Sequence, residues 1–198
     1  MVWFAVRQEQ GRPTVEVLIA LVPAALEKLS WAKSMRWGSS RARWVRPIHS
    51  LLCLLDGTVV PTSFHDIPAG AVTRGHRMLA DGDISVRNFA EYREDLRKAF
   101  VILDPVERRQ VIRDRAAQLA EAQGIAVKPD EALVAENAGL VEWPVPLLGN
   151  IDAEFMDVPR EALSSAMRKH QKYFSLEDKA GQLAPSFIMV ANIATADN

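Results

Sequence analysis

Aromatic and basic side chains are concentrated between Trp31 and His49, in a stretch that contains no acidic residue. It carries three of the five tryptophans and five basic residues: Trp31, Trp37, Trp44, Lys33, Arg36, Arg41, Arg43 and Arg46. Tryptophan rings can stack on nucleobases, and guanidinium groups can pair bidentately with phosphates. The pattern therefore predicts a nucleic-acid contact. A core of buried tryptophans ringed by arginines explains the same residue types, and both interpretations stay open at this point.

A second candidate is the motif Thr73-Arg-Gly-His-Arg77. Gly75 allows the backbone a positive φ or a close approach to a partner. Arg74, His76 and Arg77 could then converge on a phosphate. The alternative is a structural turn whose arginines pair with carboxylates elsewhere in the fold.

The third candidate is Arg168-Lys-His-Gln-Lys172, which is followed by Tyr173 and Phe174. If the segment is a strand, Arg168, His170, Lys172 and Phe174 share one face. If the preceding helix continues to His170, the shared stripe is instead Leu163, Ala166, Met167 and His170. We expect Arg168, Gln171 and Lys172 to contact RNA or a partner protein, and His170 and Phe174 to be structural.

No constellation of residues indicates catalysis. The sequence contains no P-loop, no Gly-rich dinucleotide turn and no paired cysteines for zinc, so we assign no catalytic residue and no metal ligand. Cys53 stands in an apolar run with no base beside it, which indicates a buried, unreactive thiol. The pair His65-Asp66 could belong to a hydrolytic site, but such pairs are common in loops.

Composition limits the classes of protein and of partner. The chain has 198 residues, of which 48% are hydrophobic and 25% charged, and its net charge is −1. A near-neutral chain has no generally basic coat, so any RNA contact must be local. No apolar run approaches the roughly 20 residues that span a bilayer, and the N-terminus does not resemble a signal peptide. Together with the single cysteine, Cys53, these features predict a cytoplasmic location.

The first half of the chain is predicted to be rich in strands. Strands are expected at Val2–Val6, Thr14–Val17, Val45–Leu55 and Thr58–Thr62. A helix is expected from Pro23 to about Ser34. Asp56-Gly57 predicts a hairpin turn, and Pro61 an edge or an end of the returning strand. The run Phe64–Asp83 is expected to be a loop with a short strand near Arg77–Leu79.

The middle of the chain is predicted to be helical, and strands return at the end. After a strand at Ile84–Val86, helices are expected at Asn88–Lys98 with Glu91 as capping-box partner, Pro105–Gln123, Asp130–Leu140 and Pro159–Ala166. The final strands are expected at Met167–Leu176 and Ser186–Ile193. The predicted fold is α+β, with a mixed or antiparallel sheet and packed helices. We expect one domain over residues 1–198, with a possible sub-boundary near the helical insertion at 84–150.

Six short motifs, in order along the chain, carry a resemblance to a known family. They are Lys33-Ser-Met-Arg-Trp-Gly38, Trp44-Val-Arg-Pro-Ile-His49, Thr73-Arg-Gly-His-Arg77, Leu140-Val-Glu-Trp-Pro144, Ser165-Ala-Met-Arg-Lys-His-Gln-Lys-Tyr-Phe174 and Phe187-Ile-Met-Val-Ala-Asn-Ile193. Together they resemble the β subunit of bacterial glycyl-tRNA synthetase. Two positions depart from the family's usual pattern: Met78 replaces an aromatic residue, and Asn137 replaces a valine.

The resemblance implies a fold, a function and partners. The fold implied is similar to the B3/B4-type domain of the phenylalanyl-tRNA synthetase β subunit. The implied role is tRNA recognition and subunit contact, in support of ATP-dependent charging of tRNA(Gly). In this family ATP and glycine bind the α subunit, so no cofactor is expected here. The implied partners are tRNA(Gly), the α subunit and a second β subunit of a heterotetramer. The chain is expected to be an N-terminal-half fragment that is inactive alone.

Two other functions stay open on the sequence. The first is an editing-type domain that hydrolyses mischarged tRNA, and a deep polar pocket would favour it. The second is a structural scaffold between the α subunit and the tRNA-binding domains, and burial of Arg36, Arg43 and Arg46 would favour it. An exposed basic stripe would favour RNA contact.

Overall fold

The computed structural model describes residues 2–7, 10–39 and 41–194, and the chain separates into two compact units. The first unit comprises Met1–Thr73 and Asp83–Tyr92, and the second comprises Arg74–Gly82 and Arg93–Asn198. Both contain helices and strands, which confirms the predicted α+β class. The single domain that the sequence predicts stays a prediction.

The first unit begins with a helix where the sequence predicts strands. Residues Val2–Val6 have no regular structure, and Thr14–Val17 forms the first turns of helix α1 (Thr14–Glu27). The β-branched side chains in this stretch favour strands locally. The helix prevails because its half-buried leucines and valine recur every four residues and so share one face. These residues are Leu18, Val22 and Leu26.

Helix α1 contains Pro23, which the sequence predicts at the start of a helix rather than inside one. A proline has no N–H, so the carbonyl of Ile19, four residues earlier, loses its helical donor. The hydroxyl of Thr62 donates to that carbonyl at 3.0 Å. The helix then ends at Glu27, well before the predicted end at Ser34.

The strands of the first unit are short. They are β1 (Leu51–Leu52), β2 (Leu54–Leu55), β3 (Thr58–Val59), β4 (Ser63–Phe64), β5 (Ile67–Gly70), β6 (Val72–Arg74) and β7 (Asp83–Ser85). Strand β5 pairs in parallel with β1 and antiparallel with β4, whereas β2–β3 and β6–β7 are two-stranded sheets.

Three predictions about strands between residues 45 and 83 are wrong in detail. The strand predicted over Val45–Leu55 forms only from Leu51 onward. The predicted loop Phe64–Asp83 contains most of β4 to β6, and the side chains of Phe64 and Ile67 are buried. Arg77–Leu79 is a turn and not a strand, with the amides of Leu79 and Ala80 donating to the carbonyl of His76.

The hairpin at Asp56-Gly57 is confirmed. Both residues have positive φ, 50° and 78°, as a type I′ turn requires. The turn joins β2 to β3, and the returning strand stops at Val59, before Pro61.

The second unit combines helices with one antiparallel sheet. Its elements are α2 (Phe89–Lys98, which begins in the first unit), α3 (Pro105–Glu121), β8 (Ala126–Val127), α4 (Glu131–Leu140), β9 (Val145–Asn150), a 3₁₀ turn (Ala153–Asp157), α5 (Arg160–Ala166), a π-helical turn (Met167–Gln171), β10 (Phe174–Glu177) and β11 (Leu183–Ala191). The strand order is β8-β10-β11-β9, with every pair antiparallel. None of the helices in the described part of the chain has the length and apolar character that a membrane crossing needs.

The predicted helix caps are confirmed with one exception. The side chain of Asn88 accepts from the amide of Glu91 at 2.9 Å, and that of Asp130 accepts from Leu133 at 2.9 Å. The carboxylate of Glu91, expected to return a capping-box bond, accepts instead from Arg87 at 2.9 Å.

The core of the second unit lies between its helices and its sheet. Phe174 and Leu176 of β10 and Ile188 of β11 are at most 2% exposed and pack against α3 and α4. The helices contribute Ile112, Ala116, Ala120, Leu133, Val134 and Ala138. Because β10 is buried in this core, the residue at which the chain leaves the preceding π-helical turn is held in place.

Candidate nucleic-acid interface

The basic and aromatic stretch of the first unit is folded back on itself. We call residues 31–46 the basic segment; all but residue 40 are described. Met35 and Trp44 form an antiparallel bridge, with N···O distances of 2.7 and 3.2 Å. Ala42, inside the loop that the bridge closes, is fully buried. The fold of the basic segment therefore rests on backbone bonds and a small buried residue.

A chain of aromatic contacts fixes the basic segment to its own unit. Trp31 meets Trp44 edge to face at a centroid distance of 5.0 Å, and Trp44 meets Phe64 in the same way at 5.5 Å. Phe64 is 2% exposed. Trp44 and Trp37 are half-buried, so these two rings serve the fold more than they offer free faces to nucleobases.

The five cations of the basic segment lie at the surface. Lys33, Arg36, Arg41, Arg43 and Arg46 are all exposed. None of them pairs with a carboxylate in the described part of the chain, and the guanidinium of Arg46 donates only to the carbonyl of Val45, at 2.8 Å. The sequence contains no acidic residue from Lys28 to Leu55. Trp37 and Trp44 are thus half-buried while Trp31 and the cations are exposed, so each interpretation of the sequence holds for part of the segment.

The Thr73–Arg77 motif is divided between surface and core. Arg74 and Arg77 are exposed, but His76 is only 1% exposed. Its Nδ1 accepts from the amide of Met78 at 3.2 Å, and its Nε2 has no hydrogen-bond partner among the described residues. The expected convergence of three side chains on one phosphate is therefore wrong for His76. Gly75 lies so close to Ala99 of the same chain that a Cβ there would collide with it, and the close approach to a binding partner stays a prediction.

The third motif is a π-helical turn and not the predicted strand. Residues Met167–Gln171 continue α5, and the turn closes at Lys172 in the left-handed conformation, φ 61°. The alternative in which the helix continues to His170 is therefore the one confirmed. Phe174 is buried as expected, whereas His170 is exposed.

The two cations expected to make contacts in this turn are already paired. Arg168 binds Asp130 through N···O distances of 2.5 and 3.3 Å, and Lys172 Nζ lies 2.6 Å from Glu136 Oε1. The Arg168 guanidinium lowers the pKa of the Asp130 carboxyl below its usual value, with help from the backbone amides of Leu133 and Ala132. Gln171 is exposed, in agreement with a contact role. Lys169 and His170 are exposed as well, although the sequence did not point to them as contact groups.

Neither a metal centre nor a hydrolytic site is assembled in the described part of the chain. No group of three or more His, Cys, Asp or Glu side chains there could hold a metal ion. Nε2 of His65 lies 2.8 Å from Oε1 of Glu27, and no described hydroxyl or thiol is hydrogen-bonded to its ring. Cys53 is half-buried rather than fully buried.

One cavity, whose wall is more apolar than polar, bears on the editing alternative. It measures about 270 Å³ and opens beside the start of α4, where Ser164, Ser165, Arg168 and Tyr173 contribute to its wall. In the described residues neither serine is hydrogen-bonded to a histidine or a carboxylate, so neither has the base that a nucleophile needs. The geometry does not favour editing.

Comparison with known proteins identifies the family. A family model described as "Glycyl-tRNA synthetase beta subunit" matches residues 1–198. The class is thus that of aminoacyl-tRNA synthetase subunits. The chain belongs to the glycyl-tRNA synthetase beta subunit family, as its motifs indicated.

Similar curated proteins are named as the beta subunit of the same enzyme. The glycine–tRNA ligase beta subunit of Paracoccus denitrificans is 47% identical over 100% of this chain and 29% of its own length. Those of Rhodospirillum centenum and Geobacter metallireducens are 44% and 45% identical, each over 98% of this chain and over 31% and 28% of their own lengths. The chain therefore spans less than a third of the length of these relatives.

Proposed function

We propose that this chain is the part of a glycine–tRNA ligase β subunit that contacts tRNA(Gly) and supports its ATP-dependent charging. Family membership supports the reaction, since the relatives are named for it. The observation that carries the RNA contact is the basic segment, where five exposed cations have no carboxylate partner among the described residues. Cations that are not neutralised within the protein are available to phosphates.

The basic segment is suited to binding RNA because the backbone that carries its cations is held in one conformation. The Met35–Trp44 bridge and the Trp31–Trp44–Phe64 contacts hold the backbone in one conformation. A fixed frame reduces the conformational entropy lost on binding. Each phosphate that the cations neutralise releases counterions, so affinity falls with salt by a logarithmic slope of about 0.7 to 0.9 per phosphate.

The remaining parts of the proposal rest on the resemblance. The α subunit supplies the ATP and glycine sites, the β subunit is cytoplasmic and part of a heterotetramer, and the fold of this region is similar to the B3/B4-type domain. The chain itself then activates no glycine. An ATP–pyrophosphate exchange assay on the pure chain is expected to show no exchange above a protein-free control, and clear exchange would contradict this assignment.

The RNA contact is tested with Arg36→Ala/Arg43→Ala in a ligase whose β subunit carries this sequence. The matched control is Arg160→Ala, which removes an exposed arginine already paired with Glu161. We expect the double variant to bind tRNA(Gly) more weakly, with a salt slope smaller by about 0.7 to 0.9 for each phosphate that it no longer neutralises. The control should keep both the affinity and the slope.

Two outcomes would contradict the proposed contact. If the double variant keeps the affinity and salt slope of the parent, the basic segment does not touch RNA. If tRNA binding is intact but assembly with the α subunit is impaired, the basic segment is a protein interface. Melting temperature serves as the folding check, since exposed substitutions rarely shift stability.

A further inference from the structure

The π-helical turn Met167–Gln171 is an unusual conformation that the surrounding residues hold in place. The carbonyl of Met167 accepts from the amides of both Lys172 and Tyr173, and Lys172 adopts the left-handed conformation. π-helical turns are rare, and a lysine with positive φ is strained. Such a conformation persists only where neighbouring groups determine it.

Three side-chain contacts tie the turn to α4. Asp130, at the start of that helix, binds Arg168, and Glu136 binds Lys172. Between them the amide of Asn137 donates to the carbonyl of Lys172 at 3.2 Å and to that of Leu133 at 3.0 Å. Asn137 is 3% exposed, so these are the bonds that satisfy a buried amide. Lys172, the residue in the left-handed conformation, is therefore held by contacts to both its side chain and its carbonyl.

The same contacts decide which side chains of the turn remain free. Arg168 and Lys172 are neutralised by carboxylates, and Met167 is 6% exposed. The side chains of Lys169, His170 and Gln171 are exposed and have no hydrogen-bond or ion-pair partner among the described residues. A rigid turn thus presents three consecutive polar groups to solvent.

We propose that this turn is a preformed contact for RNA phosphates, with Lys169, His170 and Gln171 as the contacting groups and Arg168, Lys172 and Asn137 as positioning residues. The inference rests on the proposed function, that the chain meets tRNA, and adds a second site in the other unit. It keeps Gln171 from the sequence expectation, in which Arg168, Gln171 and Lys172 made the contact, and replaces Arg168 and Lys172 by Lys169 and His170.

The chemistry of the exposed groups favours RNA over a protein partner. An ammonium group and a side-chain amide are donors to phosphate oxygens, and the two carboxylates beside the turn, those of Asp130 and Glu136, are already paired with Arg168 and Lys172. The centre of a protein interface is usually apolar and aromatic. Here the neighbouring rings are occupied, since Phe174 is buried and Tyr173 stacks on Phe187 at 4.5 Å.

The test uses Lys169→Ala/Gln171→Ala in the assembled ligase, titrated with tRNA(Gly) at low and moderate salt. We expect weaker binding, with a salt slope smaller by about 0.7 to 0.9 because one phosphate is no longer neutralised, and an unchanged melting temperature. The matched control is Arg113→Ala, which removes a half-buried arginine of the same unit that is paired with Glu131; it should bind tRNA as the parent does.

The Arg36→Ala/Arg43→Ala variant, measured in parallel, separates this inference from the proposed function. If that variant loses affinity and the turn variant does not, the turn contact is wrong and the proposed function stands. If neither loses affinity, both are wrong. If the turn variant binds tRNA normally but assembles poorly with the α subunit, the turn is a protein contact and the inference is overturned.

The positioning role has a readout of its own in Asn137→Val. This change removes no charge, so the salt slope should stay the same while affinity falls, and amide hydrogen exchange over 167–172 should accelerate. If Asn137→Val binds tRNA(Gly) with the affinity of the parent although hydrogen exchange in the turn is faster, a fixed turn is not needed for binding. That result would overturn the positioning role of Asn137.

Discussion

The bond between Thr62 and the carbonyl of Ile19 offers a sharp test of how the first unit tolerates a proline within a helix. Pro23 cannot donate to that carbonyl, and the Thr62 hydroxyl, in a residue 8% exposed, donates instead at 3.0 Å. Thr62→Val keeps the shape of the side chain and removes the donor. A partly buried acceptor left without a partner costs about 1 to 2 kcal/mol. In a chain of this size that corresponds to a fall in melting temperature of about 2 to 8 °C.

The physical reason is checked by a double-mutant cycle with Pro23→Ala. Alanine restores an N–H at position 23, which can donate to Ile19 along the helix. Thr62→Val should then cost less in the Pro23→Ala background, with a coupling energy of about 1 kcal/mol between the two sites. Urea denaturation followed by tryptophan fluorescence measures all four proteins. An equal cost of Thr62→Val in both backgrounds would refute the reasoning, because the hydroxyl would then matter for something other than the missing N–H.

The remaining predictions concern the second unit. Asp130→Asn keeps a good N-cap and removes the ion pair with Arg168. The pKa of the Asp130 carboxyl is lower in the folded state than in the unfolded state. The ionised carboxylate therefore stabilises the fold at pH values above its pKa in the unfolded chain, and this stabilisation is lost as the pH falls through its pKa in the folded protein. The melting difference between Asp130→Asn and the parent should therefore shrink at about pH 4 and below. Asp130→Ala should cost about a further 1 kcal/mol, measured by thermal melting at pH 7, through loss of the cap. Gly75→Ala should lower the melting temperature clearly, since its methyl group would overlap Ala99; an unchanged midpoint would show that this packing is loose.

The parts of the fold that sequence predicted well are those with a local cause. The turn at Asp56-Gly57 and the caps at Asn88 and Asp130 depend on residues within a few positions of each other, and all three are confirmed. Helix α3 is confirmed in the same way between Pro105 and Gly124, whose φ is +69°.

The parts that sequence missed depend on distant partners. Thr14–Val17 is β-branched in part, yet it belongs to helix α1, which packs against the distant strand β4. For Met167–Gln171 the sequence predicts a strand, with continuation of the preceding helix to His170 as the alternative. The real conformation of this turn is determined by Asp130, Glu136 and Asn137, which lie some 35 residues away in sequence.

The candidate sites also divide into one that depends on local sequence and one that depends on distant partners. Composition sufficed to find the basic segment, because no acidic residue near it in sequence could neutralise it, and the structure leaves its cations exposed. In the π-helical turn the residue types were just as suggestive, but the carboxylates that neutralise Arg168 and Lys172 come from another helix.

Ion pairing therefore separates two kinds of basic residue that look alike in the sequence. In the basic segment, the cations have no described carboxylate partner and can exchange solvent for phosphate without first breaking a bond. Arg168 and Lys172 would have to leave Asp130 and Glu136, and leave those carboxylates facing the incoming phosphates. That cost makes them poor contact groups and good positioning groups. A substitution at Arg168 should thus disturb the shape of the turn, whereas one at Lys169 should remove a charge from an unchanged shape, and hydrogen exchange over 167–172 distinguishes the two results.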